Sequence, residues 1–575
     1  MKFYELAGYF ERIEQTSGRI AMTELLAEIF KSVDPGEARH VAYLLQGRVA
    51  PRFVEVEFGI GNKLLQAAIA AAFDVEPGEV REQLRDLGDH GLTAERFCQA
   101  EGAGLTVIEV FERLDALART SGEGSVESKV TQLASLMRDA GPLENRYLVR
   151  IPLVRLRLGV GDPTIMDGMS FAVVGDKSER SAIERAYNYV SDLGLVAERY
   201  IEGGAESIAK IRVEVGNPVR MAQAERLSSG AEIIKKIGRC AVEPKFDGFR
   251  LQIHRAGGDV AIFSRNLENM TGMFPEVAEA VRSRLNSESA IIEGEAMGYD
   301  PESLHFLPFQ LTMSRRRKHG IEELAHSIPL KLLAFDVLYA GEEDLTPLSY
   351  EERRERLERL VNPNESIGVT ESIVTADPEK VDTYFADRVE DGLEGILVKR
   401  LESPYQAGKR NFNWIKLKGS YKGGLSDSLD CAIVGYWRGR GKRTAWGIGA
   451  ILTAVWDAEE ARLKTIARVG TGFSDEEWVQ IRELLDEDAR EGAPPMLDTT
   501  VEADVWVEPR YVAPVLADEL TRSPNHTAGR KGDEAGYALR FPRVLAMPRA
   551  DKSPQDATTV AEVESLFAAQ GRGSA

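Results

Sequence analysis

The sequence predicts a multidomain α+β chain: an all-helical first part, a middle of antiparallel strands with helices inserted, and a small β-barrel towards the C-terminus. Three observations predict it. At 575 residues the chain exceeds one compact core, given about 150 residues per domain. The apolar pattern changes from helical periodicity to short alternating runs near residue 211. Past about residue 425 glycines and brief apolar runs dominate, the texture of a small barrel.

The elements justify this in order. The opening MKFYELAGYFERIEQ carries carboxylates where a signal peptide needs an apolar stretch, so secretion is not expected. In KSERSAIERAYNYVSDLG, Ile183, Ala186, Tyr187 and Val190 fall on one helical face, with Gly194 as the stop signal. Ser121-Gly122-Glu123-Gly124-Ser125 reads as a turn between helices. In the middle part, Phe249, Leu251 and Ile253 alternate with Arg250, Gln252 and His254, a half-buried strand. Ala256–Asp259 then turns, and VAIFSR returns as the second strand of a hairpin. CAIVGYW, WGIGAILTAVW and TIARVG are the barrel strands, and residues 570–575 read as a frayed tail.

Composition excludes several classes. With 43% hydrophobic and 29% charged residues the chain is globular rather than disordered. No run of about 18 apolar residues occurs, so no membrane span is expected. Cys98, Cys240 and Cys431 form no CxxC pair, which removes a disulfide framework and a four-cysteine zinc site and points to a reducing, cytoplasmic setting. The net charge is −20, from 72 basic and 92 acidic residues, so any phosphate-binding surface is a local patch on an acidic background.

The chemistry concentrates in CAVEPKFDGFRLQIHRAGGDVAIFSRN, residues 240–266. The hairpin can bring Arg250 and Arg265 near the turn that begins at Lys245. Positive neighbours would favour the neutral amine, the nucleophilic form; the alternative is a set of exposed strand charges. K-x-D-G alone would arise by chance about 0.07 times in a chain this long. Further pieces follow in order: AIIEGEAMG (290–298), with Glu293 and Glu295 on one face; KLLAFDVLYA (331–340), containing Phe335-Asp336; LEGILVKR (393–400); NWIKLK (413–418), with Trp414, Lys416 and Lys418 on one face; and LRFPR (539–543).

This ordered set, KFDG…EGE…FD…EGILVK…WIKLK…RFPR, resembles the ATP-dependent DNA ligases, most closely the archaeal type and its eukaryotic replicative relatives. The likeness spans nearly the whole chain: GEGS (122–125), Lys129 and ENRYLVRIPLVRLRLGVG (144–161) are similar to the family's DNA-binding domain. The resemblance implies three domains: a helical DNA-binding domain over 1–208, a nucleotidyltransferase (adenylation) domain over 209–423, and an OB-fold domain with its tail over 424–575. It implies nick sealing in duplex DNA, with roles in replication, repair and recombination, in which AMP passes from ATP to a lysine, then to the 5′-phosphate, and leaves when the 3′-hydroxyl attacks.

By that resemblance Lys245 is the nucleophile. Glu243 accepts from the adenine amino group, Arg250 contacts the nucleotide and nick phosphate, Arg265 the ribose region, and Glu295 a ribose hydroxyl. Phe335 stacks on adenine. Lys416 and Lys418 neutralise the α-phosphate, with Arg410 close by. Glu394, with Asp247, holds Mg²⁺, a hard ion suited to carboxylates. Glu394 and Lys399 fall on opposite faces of a regular strand, so Lys399 stays outside the set unless a bulge or twist intervenes. Arg540 and Arg543 would help the departing pyrophosphate only if the last domain closes over the pocket; the alternative is pairing with Asp533 and Glu534.

DNA is expected to meet Arg150, Arg155, Arg157 and the Arg315–Lys318 run, with Phe306 and Phe309 beside it. The expected form is a monomer, and a sliding clamp is a partner by analogy only. No GxxxxGK[ST] occurs, so the nucleotide site is not a P-loop. Missing zinc-type cysteines argue against NAD-dependent ligases. Competing readings are an RNA ligase or capping-type nucleotidyltransferase, which do not normally carry the long helical part, and a non-catalytic DNA-end-binding scaffold.

Overall fold

In a computed structural model of the chain all residues are described except 301–305, 308, 318–319, 392, 419–427, 440–445, 518, 533, 550 and 571–575. Two compact units divide it, Met1–Arg212 and Val213–Ala575.

The first unit is helical from Phe3–Glu14 to Leu193–Ile208. Its helices bury one shared apolar core that includes Phe10, Ile69, Leu114, Tyr147 and Tyr200. Short polar side chains start them: Asp34, Asp89 and Asp192 each accept from the amide three residues on, and Thr106 with Glu109 forms a capping box. The helix Arg180–Val190 buries the predicted face of Ile183, Ala186, Tyr187 and Val190. Gly194 is not its stop. Ser191, in a left-handed conformation, ends the helix, and Gly194 lies inside the next one. A Cβ at Gly194 would fall 2.5 Å from the Tyr43 ring, so glycine is there for close packing.

The second unit opens on two sheets. One orders the strands Gln223–Arg226, Arg410–Lys418, Gly395–Arg400, Cys240–Lys245 and Ile373–Thr375 side by side. The other runs Asp259–Ser264, Phe249–Ala256, Ser289–Gly298, Leu330–Ala340, Glu343–Asp344, with Ile367–Val369 also on the 330–340 strand. Lys245 ends a strand of the first sheet and Phe249 begins one of the second, so the KFDG turn is the crossing between them. Inside the predicted hairpin, the face expected to be polar and wet is covered. Gln252 exchanges hydrogen bonds with the backbone of Val219, and Gly216 N donates to His254 Nδ1 at 2.9 Å, because residues 213–222 lie along that face.

The remainder is strand-rich, as read. Leu429–Trp437, Ala450–Asp457 and Arg462–Val469 form the centre of a further sheet with apolar clusters on it that include Ile433, Ile451 and Ile466, and Val434, Leu452 and Trp506. Strands Glu519–Ser523 and Gly536–Arg540 pair antiparallel. A helix, Val560–Gln570, packs Val563 and Leu566 into the first cluster. All three cysteines are free and buried. Among the described residues no helix is long and apolar enough to cross a membrane.

Candidate active site

Strand alternation builds the site. In the first sheet Val242, Ile396, Val398, Ile415 and Leu417 turn into an apolar core. The period of two puts Glu243, Lys245, Lys399, Trp414, Lys416 and Lys418 on the opposite face. Register aligns them: Gly395 pairs with Lys245 on one side and Lys418 on the other, and Leu397 lies between Glu243 and Lys416.

Glu394 joins this face through an irregularity. Gly395 has φ +145°, and a Cβ there would meet the Leu417 carbonyl oxygen at 2.1 Å. Only glycine lets the strand approach so closely while turning the preceding residue inward. Glu394 then bonds Lys245 through one carboxylate oxygen and Lys418 through the other. Burial alone would raise this carboxyl, but the two ammonium groups pull it well below the usual carboxylate range. The predicted environment of Lys245 is thereby corrected. Its partner is a carboxylate, and the two arginines are each matched by their own: Arg250 by Glu293 at 2.9 Å and Arg265 by Asp556 at 3.1 Å.

Around Glu243, 1% exposed, the geometry is closed. Lys399 donates to Glu243 Oε2 at 2.9 Å and to the Phe335 carbonyl at 2.9 Å, and Tyr350 donates to Oε1. Lys399 is fully buried, 4.7 Å from the ring centres of Phe335, Tyr350 and Trp414. Sequence reasoning missed it by assuming a regular strand; the signal was already in the EGILVK run, where Gly395 supplies the irregularity. Phe335 is largely buried, edge-on to Trp414 at 5.9 Å, with the Arg250 guanidinium 5.5 Å from its centre. Glu295 accepts from the Gly248 amide at 3.1 Å. Burial pushes its carboxyl up to about 7 against the opposing charges of Lys245 and Arg250. Glu293 and Glu295 are therefore not a solvated strand face: Glu293 is buried and held by Arg250, Gln252 and Tyr405.

Three expected nucleotide contacts are taken up by carboxylates. Arg410 and Lys416 both pair with Glu562, at 2.5 and 2.7 Å, and Arg265 with Asp556. Burial opposes ionisation of Glu562, yet Lys416 and Arg410 hold it well below the usual range. Asp247 is exposed on the turn. Among the described residues no three His, Cys, Asp or Glu side chains gather to hold a metal. Glu394 and Asp247 still offer hard carboxylate oxygens of the kind Mg²⁺ takes, so that donor chemistry fits.

The expected DNA contacts change most. Arg150 is 2% exposed and pairs with Glu14 at 2.8 Å and Asp89 at 3.0 Å, an oxygen pair it shares with Arg157 at 3.3 Å. Arg315, 1% exposed, pairs with Glu276, and Arg316 with Glu268 at 2.5 Å. These hold elements together, which leaves Arg317 exposed. Lys318 and the Phe309 side chain lie outside the described residues. Phe306 is exposed, edge-on to Phe246 at 5.8 Å. Arg540 pairs with Glu519 across its hairpin at 2.5 Å; Asp533 lies outside the described residues.

Comparison with known proteins gives matches along the chain. Residues 2–170 match the family model for the DNA ligase N terminus, 221–418 that for the ATP dependent DNA ligase domain, and 444–552 that for the ATP dependent DNA ligase C terminal region. A protein of Dictyoglomus turgidum described as a probable DNA ligase is 52% identical over 570 residues, covering 99% of this chain and 98% of its own. A DNA ligase of Sulfurisphaera tokodaii is 41% identical over 588 residues, covering 99% of this chain and 97% of its own. The solved structure of mycobacterial DNA ligase D complexed with ATP and MES covers 59% of this chain and 97% of its own, at 24% identity and a TM-score of 0.34.

Proposed function

The chain belongs to the ATP-dependent DNA ligases, and on that premise we propose that Lys245 carries AMP during nick sealing. The observation that carries this reading is the placement of Lys245 at the crossing of two sheets, on one face with Lys418, Lys399, Glu243 and Glu394. Lys245 Nζ, once freed of a proton, attacks the α-phosphorus of ATP. A P–N bond forms as the P–O bond to pyrophosphate breaks. The 5′-phosphate oxygen at the nick then takes the AMP and Lys245 is released. Finally the 3′-hydroxyl attacks that phosphate and AMP departs.

Glu394 orients Lys245, since the two share a hydrogen bond. Glu243 accepts from the adenine amino group, Glu295 bonds the ribose, Phe335 stacks on the base, and Arg250 meets the nucleotide. Lys418 neutralises the α-phosphate. Lys416 and Arg410 can join it only after parting from Glu562, and Arg265 can reach the ribose only after parting from Asp556. Glu394 and Asp247 would hold Mg²⁺, whose charge offsets that of the triphosphate. The division into 1–208, 209–423 and 424–575 is supported by the change of texture along the chain, with the last part an OB fold. We read the enzyme as a monomer acting on nicked duplex in the cytoplasm, and a clamp partner rests on analogy.

Lys245→Ala is expected to abolish label transfer from α-labelled ATP to the protein while the chain stays folded, because a partly exposed turn lysine contributes little to stability. Label retained on the folded variant would overturn the assignment.

A further inference from the structure

The segment SYEERRERLERL is mostly charged, yet its helix, Tyr350–Leu360, buries one face through Tyr350, Arg353, Leu357 and Leu360. Ser349 and Glu352 form the capping box that fixes this turn. Tyr350, Arg353 and Arg354 stand at i, i+3 and i+4, so they share a face. Arg353, fully buried, forks onto both oxygens of Asp336 at 2.8 and 3.0 Å and donates to the carbonyls of Leu348 and Ser403. A bidentate pair of this kind fixes orientation, and it fastens the helix to the 330–340 strand that also carries Phe335.

From that frame two side chains reach Glu243. The Tyr350 hydroxyl donates to Oε1, and Arg354 Nη1 lies 3.7 Å from the same oxygen. Arg354 is itself held by the Thr370 carbonyl at 2.5 Å and Glu358 at 2.6 Å. Lys399 holds Oε2. A carboxylate offers about four lone-pair sites. Tyr350 and Lys399 take one each, and Arg354 stands beyond hydrogen-bond range, so sites remain for a further donor.

We propose that Tyr350 and Arg354 are positioning residues for base selection: they hold the Glu243 carboxylate so that its remaining lone pairs accept from a purine 6-amino group. The inference rests on the reading of Glu243 given above. A purine without that donor leaves the buried acceptor unmatched, and one with an oxygen at C6 sets an acceptor against a carboxylate. Sites built to bond a particular substrate group reject analogues lacking it far better than apolar pockets do. The aromatic ring of Tyr350 also helps enclose Lys399, which couples the two ends of the carboxylate.

The test is self-adenylylation by the full chain with ATP and with purine riboside triphosphate, which lacks the 6-amino group, measuring kcat and KM for each. Wild type should favour ATP by about tenfold or more, and Glu243→Ala should erase the preference. Tyr350→Phe should cut the preference about three- to tenfold, through KM for ATP, while KM for the analogue stays put. A merely structural role would weaken both nucleotides alike. An unchanged ratio in Tyr350→Phe, or equal losses on both, overturns the positioning role while leaving Glu243 standing. A wild type without preference, or one kept by Glu243→Ala, overturns the reading of Glu243 and this inference with it. If Tyr350→Phe fails to fold by circular dichroism, Arg354→Met gives the same comparison, and a retained ratio there overturns the proposal.

Discussion

At the scale of single residues, Glu295 and Glu394 show how one small site holds two carboxylates in opposite states. Glu394 sits between two ammonium groups, whereas Glu295 has a backbone amide and is governed by burial. The folded Glu295 carboxyl titrates near 7, above its ordinary 4.5. A raised carboxyl contributes its stability fully below the ordinary range, and that contribution is lost as pH rises through 7. Wild type should therefore lose on the order of 1–3 kcal/mol relative to Glu295→Gln between pH 4.5 and pH 7.5. Denaturant titrations of both proteins across this window measure the difference, and a constant difference contradicts the assignment. Glu394 runs the other way: its contribution is present above the ordinary carboxylate range and disappears only in acid.

At the scale of elements, Arg150 shows why a charged residue in a basic run is not automatically a phosphate contact. It is buried against Glu14 at the end of one helix and Asp89 at the start of another, and through Asp89 it meets Arg157 of a loop. Removing it takes a buried cation from two carboxylates, leaving Glu14 with Tyr147 and Asp89 with Arg157. Arg150→Ala should cost about 3–5 kcal/mol, read from the unfolding midpoint of the helical unit. A loss below 1 kcal/mol with weakened, less salt-dependent DNA binding would restore it to the DNA surface. The sequence made the strands, their alternation and the order of motifs legible because those depend on neighbours one to four residues away. It did not show what lies on the second face of a strand. Gln252 and His254 are covered by residues 213–222, and Tyr350 reaches Glu243 across 107 positions of chain. Gly194 and Gly395 mark the same limit. Each looks like a breaker or an ordinary strand residue until the ring of Tyr43 or the carbonyl of Leu417 is placed against it.

At the scale of the whole second unit, cations expected on the nucleotide meet carboxylates from the last twenty residues instead. Glu562 takes both Arg410 and Lys416, and also caps its own helix by accepting from the Thr559 amide at 2.9 Å. A triphosphate and Glu562 thus compete for the same two charges, and the nucleotide's apparent affinity is reduced by the fraction of molecules in which they are engaged. Glu562→Gln keeps a cap acceptor and drops the charge. It should lower KM for ATP about two- to fivefold in self-adenylylation, while an unchanged or raised KM would mean that Arg410 and Lys416 do not serve the nucleotide. A domain that releases these contacts for one step and restores them for another is gating of the ordinary kind. All of this presupposes one covalent event at one atom. The most direct measurement is peptide mapping by mass spectrometry of the full chain after incubation with ATP and Mg²⁺, before and after adding nicked duplex. The account predicts a single AMP on the peptide containing Lys245, which vanishes as the nick is sealed. An adduct on Lys399, Lys416 or Lys418, or one that survives complete sealing, would contradict it.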